Sequence, residues 1–352
     1  MVTVGIVIAL AAAENWPLFQ MDMYNAFLQR DLLEEVFMEI PKGLQIQGEK
    51  HMDTKRVLHQ SFKIKDLGEL NFFLGIKFSR SKKGIRMNQR KYALELLAEA
   101  GLTGGKVALT PLECNMKLTI AEMNDGNGGN EFVELFEDVQ QYQRMIGKLL
   151  YLTITRPDIS YTVQTLNQFM QRPTVQHWNA TLRVLRYIKT QPGLGLLMSS
   201  EKDMRLTGYC DADWASCPHT RRSVIGYILK LGESLIAWKS KKQATVSRSS
   251  AEAAYRSLAG LTVEVVWVTN LVKELEIQVE GPTSIYCDSK VAIQITANLS
   301  GRRSTVVVVG LNPIGDTITP GVVLSSWAGN VSLAGSQYQL PAVISSSLLL
   351  QL

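Results

Sequence analysis

Residues 205–213 (RLTGYCDAD), 224–231 (VIGYILKL), 234–240 (SLIAWKS) and 284–288 (SIYCD) decide the fold of the second half of this chain. Each carries strand signals. A long helix is expected from about Ala251 to Leu275, and a short one over 289–298. The resulting order β-β-β-α-β-α is an α/β unit in its own right. If the first and fourth strands are neighbours, three acids converge at one end of the sheet. Asp211 lies near the end of the first strand, Asp288 ends the fourth, and Glu252 lies in the first turn of the long helix. Such a cluster suits two Mg²⁺ ions holding a phosphodiester and its attacking water. Each acid also has a structural reading. Ser249-x-x-Glu252 is a capping box, Asp288 is placed to N-cap the next helix, and Asp211 and Asp213 share one strand face.

Outward from this unit the chain reads as mixed α and β. Phe72–Ser81 and Gly84–Asn88 alternate like a hairpin turning at Lys82-Lys83-Gly84. Gln89–Ala100 is an amphipathic helix stopped by Gly101. Helices are expected at Gln141–Thr155, at Pro157–Met170 with Pro in the first turn, and at Thr174–Thr190 before Pro192-Gly193. Asp125–Asn130 (DGNGGN) is a flexible linker.

Composition sets the bounds. The chain has 352 residues, 46% of them hydrophobic and 20% charged, which describes a globular protein and excludes collagen-like or wholly disordered chains. Four scattered cysteines, none in a C-x-x-C, argue against a disulfide scaffold and a structural zinc site. They fit a reducing, intracellular compartment, cytoplasmic or nuclear. Met1–Ala13 is apolar but lacks the basic n-region of a signal peptide and is too short to span a bilayer. A buried helix or strand is expected there, with no secretion and no membrane partner.

Charge is unevenly placed. From Ala215 to Ser250 seven basic residues face one acid, Glu233, although the whole chain carries only +5. Arg221, Arg222, Lys239, Lys241, Lys242 and Arg248 are candidates for neutralising phosphates. Arg183, Arg186 and Lys189 repeat every three residues along one helix and suit a nucleic-acid backbone. A solvated surface explains either set equally simply. His177-Trp178 is read as packing. From Ser304 to Leu352 only Asp316 is charged, and the apolar windows there predict aggregation.

The residues support a specific resemblance. Tyr209-Cys-Asp-Ala-Asp-Trp-Ala215, Thr220-Arg-Arg-Ser223, Trp238-Lys-Ser-Lys-Lys-Gln243, Val246-Ser-Arg-Ser-Ser-Ala-Glu-Ala253 and Tyr286-Cys-Asp-Ser289 resemble the ribonuclease H domain of Ty1/copia-type retrotransposon Pol polyproteins. Phe62-Lys-Ile-Lys-Asp-Leu-Gly-Glu-Leu70, Ile146-Gly-Lys-Leu-Leu-Tyr-Leu152, Thr155-Arg-Pro-Asp-Ile-Ser-Tyr161 and Arg183-Val-Leu-Arg-Tyr187 resemble late reverse transcriptase and connection segments. Gln20-Met-Asp-Met-Tyr-Asn-Ala-Phe-Leu28 resembles the first polymerase motif. The resemblance covers about residues 5–300.

It implies a fold of class α+β and α/β: a remnant reverse-transcriptase palm and thumb or connection, then a truncated ribonuclease H-like fold. The expected division is 1–113 remnant reverse transcriptase, 114–139 linker, 140–200 helical connection, 204–300 ribonuclease H-like domain and 301–352 apolar tail. Asp211, Glu252 and Asp288 then correspond to catalytic, metal-holding carboxylates, and Asp22 to a polymerase carboxylate. Mg²⁺, or Mn²⁺ in its place, is the implied cofactor, with no other small-molecule cofactor. An RNA/DNA hybrid or other nucleic acid is the implied partner.

Two departures matter. The polymerase site needs an Asp-Asp pair, and no Asp-Asp dipeptide occurs in the sequence. The family's closing strand, fourth acidic position and helix are replaced by the uncharged tail, so one side of the sheet is expected to stand exposed. DNA synthesis is expected to be lost and RNA hydrolysis to be at most residual, which leaves the chain's standing as an enzyme open. A non-catalytic nucleic-acid-binding remnant and an unstable, pseudogene-like product are the alternatives.

Overall fold

The computed structural model describes residues 2–23, 64–113, 116, 118–120, 134–298, 306–310 and 319–324. The elements, in chain order, are α1 (Val2–Ala13), β1 (Phe19–Met23), β2 (Ile64–Glu69), β3 (Phe72–Phe73), β4 (Ile76–Ser81), β5 (Gly84–Asn88) and α2 (Arg90–Glu99). There follow α3 (Val139–Leu152), α4 (Ser160–Leu166), α5 (Val175–Ile188), β6 (Gly195–Ser199), β7 (Leu206–Asp213), β8 (Val224–Leu231) and β9 (Ser234–Lys242). The last are α6 (Ser250–Glu274), β10 (Thr283–Cys287), α7 (Lys290–Asn298), β11 (Val306–Gly310) and β12 (Thr319–Leu324). Contacts divide the chain into two units, residues 17–74 and residues 1–16 with 75–352.

The smaller unit contains β1 and β2, which run antiparallel with Asp22 opposite Lys65. In the larger unit β4, β5 and β6 lie side by side, antiparallel. The expected hairpin is there, with Ser81 opposite Gly84 across the turn. Gly84 has φ 127°, and a Cβ on it would meet the Met198 carbonyl, so only glycine serves. The strand β6 had no reading in the sequence.

The helices build their own core. Leu96, Tyr142, Ile146, Leu149, Ile159, Val163, Leu166, Val184 and Leu185 are buried together. Tyr142 donates its hydroxyl to the Leu166 carbonyl at 2.8 Å, which meets the need of a buried phenol. The stretch read as one helix from Pro157 is three pieces: 3₁₀ turns at Pro157–Ile159 and Asn167–Phe169 flank α4. Arg156 and Asp158 pair inside the core at 2.6 Å, almost fully buried. Arg156 also donates to the Gln191 carbonyl at 3.2 Å, so the buried charges are paired and hydrogen-bonded.

His177 is packing, as read: it is fully buried and stacks on Phe169 at 3.9 Å between ring centroids. It also closes a capping box, its Nδ1 accepting from the Thr174 amide at 2.9 Å. Burial lowers its pKa to about 4.

The second sheet has the order β12-β11-β10-β7-β8-β9. β7, β8 and β9 form the antiparallel meander, and β10 joins β7 in parallel. Parallel neighbours need a crossover, and α6 supplies it. α6 packs on the face that carries Gly208: a Cβ there would stand 2.8 Å from Leu261. The tail corrects an expectation. The edge of β10 is not bare, because β11 pairs with it in parallel, Thr283 opposite Val306, and β12 continues antiparallel. Four consecutive valines suit a strand better than a coil.

The N-terminal segment is a helix, as anticipated by one of its two readings. Ile6 and Ile8–Ala13 of α1 are buried. Arg80 donates to the Ala11 and Trp16 carbonyls and to Asn15 Oδ1, which ties β4 to the turn that follows α1. Among the described residues no helix is long and apolar enough to cross a membrane.

Candidate functional site

The parallel register fixes the geometry. Cys287 lies opposite Cys210, so the next residues, Asp211 and Asp288, leave neighbouring strands side by side. Tyr209 and Tyr286, one step back on the same face, stack with centroids 5.0 Å apart. Asp288 is exposed as a residue. Partial desolvation of its carboxyl, followed by the charge of Asp211, raises its pKa.

Glu252 stands apart from this pair. Ser249 caps α6, accepting from the Glu252 amide at 3.1 Å, and the Glu252 carboxylate reaches back to the Arg248 amide at 2.8 Å. Its other oxygen accepts from Arg256 at 2.7 Å. These contacts, the Arg248 amide first and then Arg256, lower its pKa. Only half of the expected capping box forms: Ser249 caps the helix, but the Glu252 oxygens are taken by the Arg248 amide, one residue before the cap, and by Arg256. Alternation gives a further reason: Asp211 lies on the face opposite Gly208 and Cys210, and α6 covers the Gly208 face. Among the described residues no group of three or more His, Cys, Asp or Glu side chains is placed to hold a metal. Two carboxylates in mutual repulsion fit one hard divalent cation. They do not fit the two-ion arrangement, for which Glu252 would have to leave Arg256.

The basic residues are divided by the strand pleat. Lys239 and Lys241 pair with Tyr227 and Ile225, while Lys242 pairs with Val224 on the other face. Lys239 sits over the Tyr227 ring at 5.8 Å. Lys242 donates to Gln168 Oε1 at 2.7 Å and lies 3.8 Å from Cys217 Sγ. The Arg221 amide donates to the Cys217 carbonyl at 2.9 Å, and the Arg222 carbonyl accepts from the Cys217 amide at 3.1 Å, so both belong to a tight loop. Arg248 leads into the α6 cap. On α5, Arg183 pairs with Glu113 at 2.7 Å and Lys189 donates to the Gly105 carbonyl at 2.6 Å. Arg186 shares their helix. Two of the three cations in that row thus hold the 105–113 loop. A half-open pocket of about 130 Å³ lies between α4 and the loop after β7, lined by Leu118, Tyr161, Phe169, Cys217 and Lys242. Asp22 lies on β1, with its backbone opposite Lys65.

The sequence reading did not single out Arg256. Its signal was the i, i+4 spacing from Glu252 on one helix face.

Comparison with known proteins agrees with this sequence pattern. A family described as reverse transcriptase (RNA-dependent DNA polymerase) matches residues 51–114. The Retrovirus-related Pol polyprotein from transposon RE2 of Arabidopsis thaliana is 33% identical over 84% of this chain, which covers 24% of that polyprotein. An uncharacterized mitochondrial protein of the same plant is 37% identical, with 60% of this chain aligned to 83% of it. The Putative transposon Ty5-1 protein of Saccharomyces cerevisiae is 31% identical over 60% of this chain and 67% of its own length. The chain thus spans about a quarter of the length of the Pol polyproteins it matches. With the transposon Ty5-1 protein covered over two-thirds of its length at 31% identity, and the Pol polyproteins matched along 84% of this chain, the chain belongs to the Ty1/copia retrotransposon Pol family, as a reverse-transcriptase-like part of that polyprotein.

Proposed function

We propose that residues 204–300 form a ribonuclease H-like unit and that the chain is a nucleic-acid-binding remnant, polymerase-dead, with residual hydrolysis of RNA in RNA/DNA hybrids at most. The observation that carries this reading is the adjacency of Asp211 and Asp288 on parallel strands. Mg²⁺ or Mn²⁺ held by these two carboxylates would supply Lewis acidity at a phosphate oxygen. The protein's own part is to present the acids side by side at the end of the sheet that the 220–222 loop flanks, while Lys239 and Lys241 stand on the other face. Glu252, in this reading, contributes only when Arg256 releases it. That requirement is the physical basis for weak turnover. Polymerase chemistry is absent because Asp22 has no Asp-Asp partner in the sequence. The setting for such a function is intracellular.

The test is an RNA/DNA hybrid labelled on the RNA strand, incubated with the chain in Mg²⁺ and then Mn²⁺, with Asp211→Asn alongside. The expected result is slow cleavage, greater in Mn²⁺, that the substitution abolishes. Hybrid binding with no cleavage in either metal would leave the binding function alone. A rate matching an intact relative would overturn the residual-activity reading. Primer extension by the same preparation is expected to be absent.

A further inference from the structure

We propose that Cys210 and Cys287 are a redox modification site: a buried dithiol that a peroxide-class oxidant converts to a disulfide joining β7 to β10. Three observations carry this. The two cysteines are direct partners in the parallel register. Both are buried, at 4% and 0% exposure, on the same face of the sheet. The Cys210 thiol donates to the Tyr286 carbonyl at 3.7 Å, which turns its sulfur toward β10. Adjacent strands lie about 4.8 Å apart. A disulfide accommodates Cα separations of roughly 4.4–6.8 Å. The spacing of paired residues on neighbouring strands thus falls inside the Cα range a disulfide needs. The proposed function makes no use of these thiols.

The chemistry balances with hydrogen peroxide. One sulfur attacks a peroxide oxygen, the O–O bond breaks, and a sulfenic acid and water result. The second sulfur displaces the sulfenic oxygen as a second water. Two S–H bonds are lost, one S–S bond forms, and the peroxide is reduced. Access requires local opening around α6 and α7, so oxidation is slower than at a surface thiol. Cys217, partly exposed and beside Lys242, is the internal comparison. The bridge would fix β7 against β10 one residue before Asp211 and Asp288.

The experiment treats the native full chain with hydrogen peroxide, at a dose that fully oxidises an unstructured dithiol peptide. Unfolding, alkylation and peptide mapping follow. The expected result is a Cys210–Cys287 crosslinked peptide two hydrogens lighter than its parts, reversed by dithiothreitol. The oxidised chain is expected to melt several degrees higher. Cys210→Ser should leave Cys287 alkylatable after the same treatment. If that variant does not fold, the mapping of the unmodified chain decides by itself. Both thiols remaining alkylatable, or either one pairing with Cys217 instead, would overturn the proposal.

Discussion

His177 shows how one side chain couples capping, packing and pH. Its pKa of about 4 lies below the ordinary histidine value because burial disfavours the imidazolium. The unfolded chain therefore binds more protons than the native one between about pH 6.5 and pH 4. Stability is complete above that window and is lost as pH falls through it. Urea unfolding at pH 7.5 and pH 4.5 should differ by about 2 kcal/mol from this residue. His177→Gln, which retains the reach-back of a capping box, should flatten that slope. Gly208 is the second residue whose identity is set by space. Gly208→Val should cost about 1–3 kcal/mol, since Leu261 of α6 already fills the Cβ position. Denaturant melts monitored by circular dichroism would read it. At this scale the sequence was partly legible. The Ser249 cap of α6 and the packing of His177 follow from spacing and burial. The engagement of Arg256 with Glu252 was missed: the i, i+4 spacing is there, but spacing alone does not choose between an ion pair and a metal for one carboxylate.

The elements of the second half were legible because their signals are local. β7, β8, β9, α6 and β10 lie within two residues of where the pattern placed them. Three features were not. β6 is a five-residue strand following a Pro-Gly turn and carries too little pattern to declare itself. The 157–170 stretch is apolar at helical spacing, yet both ends tighten into 3₁₀ turns, the first of which carries Asp158 of the buried Arg156–Asp158 pair. The tail strands depend on an edge that only the folded sheet provides. This leads to a prediction for β11 and β12. Truncation after residue 300 removes both and opens the β10 edge. An exposed edge next to apolar strands promotes association. Light scattering of the shortened chain should rise with concentration faster than that of the full chain. Equal scattering would show that the edge is protected without them.

For the whole molecule, binding to nucleic acid should be electrostatic and modest. The pleat sends Lys239 and Lys241 one way and Lys242 the other, while Arg183 and Lys189 are engaged internally. The affinity for a hybrid should fall with salt at a slope of about −0.9 per neutralised phosphate. Replacing Lys239 and Lys241 together by Gln should reduce that slope by about 2. Replacing Arg183 and Lys189 should lower stability more than it lowers the slope. Filter binding from 50 to 200 mM salt would separate the two sets. Family membership was readable from motifs in order along the chain. The division of the basic residues was not, because composition reports charge without reporting the face on which it stands.

The parallel junction of β7 with β10 also sets a schedule. Asp213 ends one strand and Thr283 begins its neighbour, with the meander and α6 between them. At ribosomal speeds of roughly 5–20 residues per second, the intervening chain takes several seconds to emerge. For that interval the nascent β7 has its β8 partner but no β10. The newborn protein thus spends its first seconds with an open flank in the middle of its future sheet, and that is the period in which a chaperone would meet it.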